Sequence, residues 1–433
     1  MKIMWLCNIM LPSIAEKLGL PYSNREGWLT GTYERLNREN PGSGTGESGI
    51  ELGICFPVEE MPAELAGTSG KLILPGTVCY AFREKLSAPE EYDAELEDTF
   101  RSILEDFRPD IVHIFGTEFP HSLAMVSAFA RPERTLLGIQ GLCFACAAFY
   151  MADIPEAVQR RVTFRDFVKK DSIRKQQEKF RIRGEREKET IRKTAHITGR
   201  TAFDRRETEK INPDAWYHPM NETMRAPFYS GNWSEEDCVA HTIFLSQGDY
   251  PLKGFHYMLK ALPRIAEEYP DVRLTVAGSD ITANVSLKDR IKISSYGKYL
   301  RELIKANHLE EKVVMTGRLS AEKMKEQFLR SSLYVCPSAL ENSPNSLCEA
   351  MLLGVPVLAA DTGGIPSLLE TETDGLLYQA GNVKELAEAV IRIWKEPGET
   401  KKRAEAARKR SMRVHDADVN YERLLEIYRE MEA

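Results

Sequence analysis

Glu341 and Glu349 bracket a strand-to-helix turn in which an anion and a polyol could be held side by side. Before them, Ser332-Leu-Tyr-Val-Cys336 is an apolar run of strand type. After them, Ala350-Met-Leu-Leu353 reads as a buried helix that stops at Gly354. Ser343 is a good N-cap and Pro344 suits the first helical position, because proline has no amide hydrogen to leave unpaired there. A helix starting at Pro344 offers the free amides of Asn345, Ser346 and Leu347, and its dipole favours an anion such as phosphate. Glu349 falls in the second turn and leans back toward that end. A carboxylate repels a phosphate, so the ligand must also bring hydroxyls, as a ribose or a hexose does. A sugar nucleotide carries both.

Three more stretches could add chemistry. Lys253-Gly254 follows the strand His241-Thr-Ile-Phe-Leu-Ser246; a lysine in a turn is commonly solvated, but one after a strand and beside a glycine can reach a ligand. Gly363-Gly364 could be a tight turn only, or could turn backbone amides toward a phosphate. His113 lies in Asp110-Ile-Val-His-Ile-Phe115, where by itself it reads as a satisfied core histidine. Glu118 and His121 come just after, at the end of a strand where open parallel sheets bind ligands.

These motifs together resemble the signature of the retaining family 4 (group 1) glycosyltransferases of GT-B fold. That signature is a glutamate, seven residues, a second glutamate, then Ala-Met and a Gly-Val-Pro-Val strand. Glu341, Glu349, Ala350-Met351 and Gly354-Val-Pro-Val357 stand in those places. The resemblance implies that Glu341 holds donor-sugar hydroxyls and Glu349 the ribose. Lys253 neutralises the departing diphosphate, and His113 faces the sugar from the opposite domain. It further places Arg318 and Leu319 beside the nucleobase and Gly363 and Gly364 at the diphosphate. The family generally carries an arginine five residues before the lysine; here Gly248 stands there.

Composition agrees with an ordinary globular enzyme: 433 residues, 42% hydrophobic, 28% charged and a net charge of −7. At roughly 100–200 residues per domain, two or three domains are expected. The acidic balance argues against nucleic acid as a partner, and no apolar run is long enough to span a membrane. Met1-Lys-Ile-Met-Trp-Leu-Cys-Asn8 reads as a first strand and not as a signal peptide. The eight cysteines are scattered, as buried thiols of a reducing compartment would be. Cys143-x-x-Cys146 lacks the partner ligands that zinc would need. Asp416-Ala-Asp418 precedes a helix and reads as capping, so no metal site and no cofactor are expected beyond the donor itself.

The most charged stretch, Arg165 to Lys193, holds twelve basic and six acidic residues. It can be a solvated helical face, or, helped by Phe164, Phe167, Val168 and Phe180, a contact with anionic lipid. The expected architecture is α/β, with two Rossmann-like domains facing each other. An acceptor-side domain spans 1–225, a linker 226–236 and a donor domain 237–412; a terminal helix over 413–433 packs back on the first domain. The expected activity is retaining transfer from a nucleoside diphosphate sugar, UDP-sugar favoured, to a saccharide or lipid-linked acceptor in glycan or cell-surface polysaccharide synthesis. The expected location is cytoplasmic, at or near the inner face of the membrane. The competing reading is a catalytically silent subunit that binds a sugar nucleotide or a partner enzyme.

Overall fold

Short apolar runs, each closed by a polar turn, become the strands of two sheets in a computed structural model that describes residues 1–20, 27–39, 49–67, 70–283, 286, 289 and 291–432. In the first sheet the strands are β1 (Lys2–Leu6), β2 (Glu51–Val58), β3 (Lys71–Leu74), β4 (Thr77–Arg83), β5 (Ile111–Phe115), β6 (Thr135–Gly138), β7 (His196–Gly199) and β8 (Trp216–Pro219). In the second they are β9 (Val239–Leu245), β10 (Arg273–Val276), β11 (Val313–Met315), β12 (Ser331–Cys336), β13 (Val357–Asp361) and β14 (Leu376–Gln379). The spatial orders are β3-β4-β2-β1-β5-β6-β7-β8 and β11-β10-β9-β12-β13-β14. The β3–β4 hairpin is antiparallel and every other pair is parallel. Parallel strands need crossovers, and the helices between them supply these. The turn expected from Pro41 to Gly49 lies, except for Gly49, outside the described residues.

The chain divides into two compact units. One holds Met1–Phe144, Lys179–Arg225 and His415–Ala433; the other holds Ala145–Glu178 and Ala226–Val414. This differs from a single boundary at 226. Residues 145–178 belong with the second sheet because they are tied to it by polar contacts. His256 Nε2 lies 2.7 Å from the carbonyl of Ala152, Tyr257 Oη donates to Asp153 at 2.7 Å, and Thr163 Oγ1 donates to the carbonyl of Ile293 at 2.8 Å. The expected linker is also part of this unit. Phe228 is fully buried against Phe328, and the Trp233 indole donates to the carbonyl of Ser331 at 2.8 Å.

The terminal helix, Ala417–Glu432, returns to the first unit, as the GT-B resemblance implies. Asp416 caps it, its carboxylate accepting from the amides of Asp418 and Val419 at 3.0 Å. Tyr421, Leu424, Leu425 and Tyr428 join Trp5, Ile54 and Phe56 in one core. At the centre Trp5 Nε1 donates to Tyr428 Oη at 2.8 Å, and that hydroxyl meets His113 Nδ1 at 2.7 Å. Tyr428→Phe removes a bridge between two buried groups, and we expect it to cost about 2 kcal/mol or more. A lowered thermal midpoint would register this loss, with Tyr421→Phe as the matched control.

Candidate donor site in the second unit

The central strands of the second sheet, β9 and β12, are neighbours, so the turns at their carboxyl ends lie side by side. The turn after β9 carries Lys253 and Gly254; the turn after β12 carries Ser338 and Glu341. The amide of Ala339 donates to the carbonyl of Leu252 at 2.8 Å and locks the two turns together. Gly254 has φ +70°, and a Cβ there would lie 1.8 Å from the carbonyl oxygen of Pro337, so only glycine lets the turns approach this closely. The result is a short ion pair: Lys253 Nζ lies 2.7 Å from Glu341 Oε1, which also accepts from Ser338 Oγ at 2.7 Å.

The turn after β13 closes on the same point. The Gly364 amide donates to the Glu341 carbonyl at 3.0 Å, and Thr362 Oγ1 donates to the Ala339 carbonyl at 2.9 Å. Gly363 has φ +53°, and a Cβ there would meet the Glu341 carbonyl oxygen at 2.0 Å. Lys253, Glu341 and the Gly363-Gly364 turn, distant in sequence, are thus brought into one cluster at the carboxyl edge of the sheet, where ligands of open α/β sheets bind. Burial opposes the Lys253 ammonium, but the Glu341 carboxylate and Tyr250 outweigh it and hold its pKa well above the ordinary lysine range.

The helix after the β12 turn runs Asn345–Leu353, one residue later than expected. Pro344 is its N-cap in an extended conformation, and no side chain caps it, so Ser343 does not fill the role its type suggested. The first-turn positions fall on Asn345, Ser346 and Leu347, with Glu349 buried in the second turn. Ser346 Oγ meets Tyr334 Oη at 2.8 Å, and that hydroxyl meets Ser246 Oγ at 3.1 Å, pinning the helix start to β12 and the end of β9. Arg318 and Leu319 follow β11, the edge strand two places from β9. The Arg318 side chain is exposed, and the amide of Gly278 donates to the carbonyl of Gly317 at 3.0 Å to fix that turn.

His113 lies in the first unit and does not present itself to a ligand there. It is fully buried in the middle of β5, its ring packed 3.8 Å from that of Phe115 and its Nδ1 on Tyr428; burial pushes its pKa down to about 3. Through Tyr428 it meets the terminal helix of the same unit. At the carboxyl end of the same strand stand Glu118 and His121. The His121 ring nitrogens lie 2.7 Å from Glu84 Oε2 and 2.9 Å from Asn8 Oδ1, and Asn8 Nδ2 donates to Glu118 at 3.3 Å. Burial raises the Glu118 pKa. Glu118 is the half-exposed member of this network.

Two features were missed in the sequence. Ser338, three residues before Glu341, fixes that carboxylate, and its spacing was the only signal available. Gly248 is buried, and a Cβ there would lie 2.9 Å from both Phe255 Cδ1 and Val276 Cγ1. A side chain at 248 would therefore have to displace both neighbours, which a single sequence does not display.

Comparison with known proteins places this arrangement. Over 99% of its length the chain superposes on sucrose-phosphate synthase from Thermosynechococcus elongatus, with TM-score 0.67, 13% identity and 98% of that chain covered. It superposes equally far on Anabaena Alr3699/HepE, solved with UDP and glucose, with TM-score 0.65, 16% identity and that whole chain covered. The fold is GT-B, an α/β fold with two parallel sheets and a returning terminal helix. Residues 241–410 match the family model described as glycosyl transferases group 1. A phosphatidyl-myo-inositol mannosyltransferase of Propionibacterium freudenreichii is 29% identical over 158 residues, 36% of this chain and 35% of that protein. The chain spans about a third of the length of the first curated relatives it matches.

Proposed function

We propose that this chain transfers a sugar, with retention at the anomeric carbon, from a nucleoside diphosphate sugar to a saccharide or lipid-linked acceptor. The observation that carries this reading is the Lys253–Glu341 pair at 2.7 Å, set among two glycine turns and a helix N-terminus at the carboxyl edge of the second sheet. An ammonium, a helix N-terminus and a carboxylate in one place suit a diphosphate joined to hydroxyl-bearing sugars. In the reaction the bond from the anomeric carbon to the diphosphate oxygen breaks. The bond to the acceptor oxygen forms on the same face, and the acceptor proton leaves with the diphosphate. The developing charge on the diphosphate is met by Lys253, by the helix start at Asn345 and Ser346 and by the Gly363 turn, while the amides of Leu347 and Gly364 shape the site by donating to the carbonyls of Pro344 and Glu341. Glu341 takes the donor-sugar hydroxyls, Glu349 the ribose, and Arg318 and Leu319 the base. UDP is the favoured nucleotide, since a solved protein of this fold binds UDP and glucose. Glu118 is assigned to the acceptor side.

Thermal unfolding with UDP, GDP, ADP and their sugar conjugates tests this. A ligand at 100 times its dissociation constant stabilises by about 2.7 kcal/mol. We expect a raised midpoint with one base, lost in Glu349→Ala. No shift with any nucleotide would sink the donor-site reading. The silent-subunit reading rests on Gly248, where the packing leaves no room for the usual arginine. Donor consumption with acceptor glycosylated excludes it; binding without turnover establishes it.

A further inference from the structure

The helix Phe164–Lys169 is inside out. Its acidic residue, Asp166, is 2% exposed, while Phe164, Phe167 and Val168 are 68%, 75% and 60% exposed and neighbouring Val162 is 57% exposed. Three of these four sit at helical spacing i, i+3, i+4 and form one outward stripe. The inversion is held firmly. Asp166 accepts from the amide of Ser295 at 2.9 Å and from the Ser295 hydroxyl, and it closes a capping box with Thr163. So the phenylalanines stand in solvent because the opposite face is bolted down, at a cost in hydration free energy that a monomer in water does not recover.

Cations surround the stripe. Lys169, Lys170, Arg174 and Lys175 are exposed, and none has an acidic partner among the described residues. Farther along the same basic stretch the charges are used by the fold. Lys179 pairs with Glu90 at 2.8 Å, Arg183 donates to the Glu118 carbonyl at 2.8 Å, Arg186 binds the carbonyls of Pro89 and Glu90, and Lys193 pairs with Glu189 at 3.2 Å. The free charge of Arg165 to Lys193 is therefore concentrated at its start, next to the exposed aromatics.

We propose that residues 162–175 are a docking surface for an anionic lipid bilayer, the phenylalanines entering the headgroup boundary and the four cations meeting lipid phosphates. Aromatic anchors beside lysines match the layered chemistry of such a surface, whereas a protein partner would need acidic groups around an apolar centre. The inference stands apart from the transfer reading, since vesicle binding and donor turnover are separate measurements.

Flotation of the full chain with phosphatidylcholine vesicles, with and without phosphatidylglycerol, tests it. We expect binding to the anionic vesicles only, released by salt. Each cation contributes on the order of fivefold to the partition. Lys169→Gln with Lys170→Gln should therefore weaken binding by about 25-fold, while the same loss at Lys323 and Lys409, on other helices, changes it little. Phe164→Ser with Phe167→Ser should release the protein while its thermal midpoint and nucleotide shift stay unchanged. Phe167→Trp should show a blue-shifted emission on vesicles. Binding undiminished in the serine variant, absence of flotation on anionic vesicles, or a self-association in sedimentation that the serine variant dissolves would each overturn the proposal.

Discussion

Lys253→Ala should lower kcat by about 10²–10³-fold, the loss typical of removing one preorganised charge from a developing anion. The ammonium is already in place without substrate, 2.7 Å from Glu341 and fixed by the Leu252–Ala339 backbone bond, so the protein spends little to reorganise it at the moment of reaction. If Lys253 acts on the leaving group, KM for the donor should rise far less than kcat falls. Donor turnover measured at saturating acceptor separates the two. Lys253 also holds the Glu341 carboxylate, so thermal stability should fall, by about 1–3 kcal/mol, less than for a dry pair because both side chains keep some exposure to water. The pH dependence has a definite sign. A lysine pKa raised in the folded state contributes stability fully below about 10.5 and loses it only as pH rises through the higher folded value. Activity should accordingly show no alkaline decline from Lys253 below about pH 10. An activity loss of less than fivefold in Lys253→Ala would remove the lysine from the mechanism.

What the sequence made legible follows from how local each signal is. The apolar runs at Lys2–Leu6, Ile111–Phe115 and Ser331–Cys336 are strands because they are short and bounded by polar turns, and both sheets could be anticipated from them. β4 follows Pro75-Gly76, a turn dipeptide that marks where it begins. β8 hid in a stretch of prolines, histidines and aromatics. The Lys253–Glu341 cluster was foreseen by resemblance, but its geometry depends on β9 and β12 being neighbours, a fact of topology absent from either segment. His113 went the other way. Its strand context pointed to the core, and the Trp5–Tyr428–His113 chain of hydrogen bonds shows what the core reading lacked, a partner 315 residues away. Residues 145–178 likewise declare their unit only through contacts such as Tyr257 with Asp153.

Gly248→Arg should destabilise the protein and fail to improve turnover, although the family resemblance implies an arginine at this place. The first atom of any side chain at 248 would sit 2.9 Å from Phe255 Cδ1 and 2.9 Å from Val276 Cγ1, and both residues are fully buried. Phe255 opens the helix that follows Lys253-Gly254, so pushing its ring outward also moves the lysine. Overpacking of this kind costs about 1–3 kcal/mol for alanine, and a partly buried guanidinium raises the cost to about 3–5 kcal/mol. At roughly 2–4 °C per kcal/mol for a unit of this size, the thermal midpoint should fall by on the order of 10 °C. Combining Gly248→Arg with Phe255→Ala should recover less than the sum of the two single losses predicts, a coupling that a double-mutant cycle reads directly. Should Gly248→Arg keep the midpoint and raise turnover, the turn has room that the Phe255 and Val276 contacts deny, and the diphosphate would be using a second cation. The opposite result leaves charge neutralisation to Lys253, the helix start and the Gly363 turn.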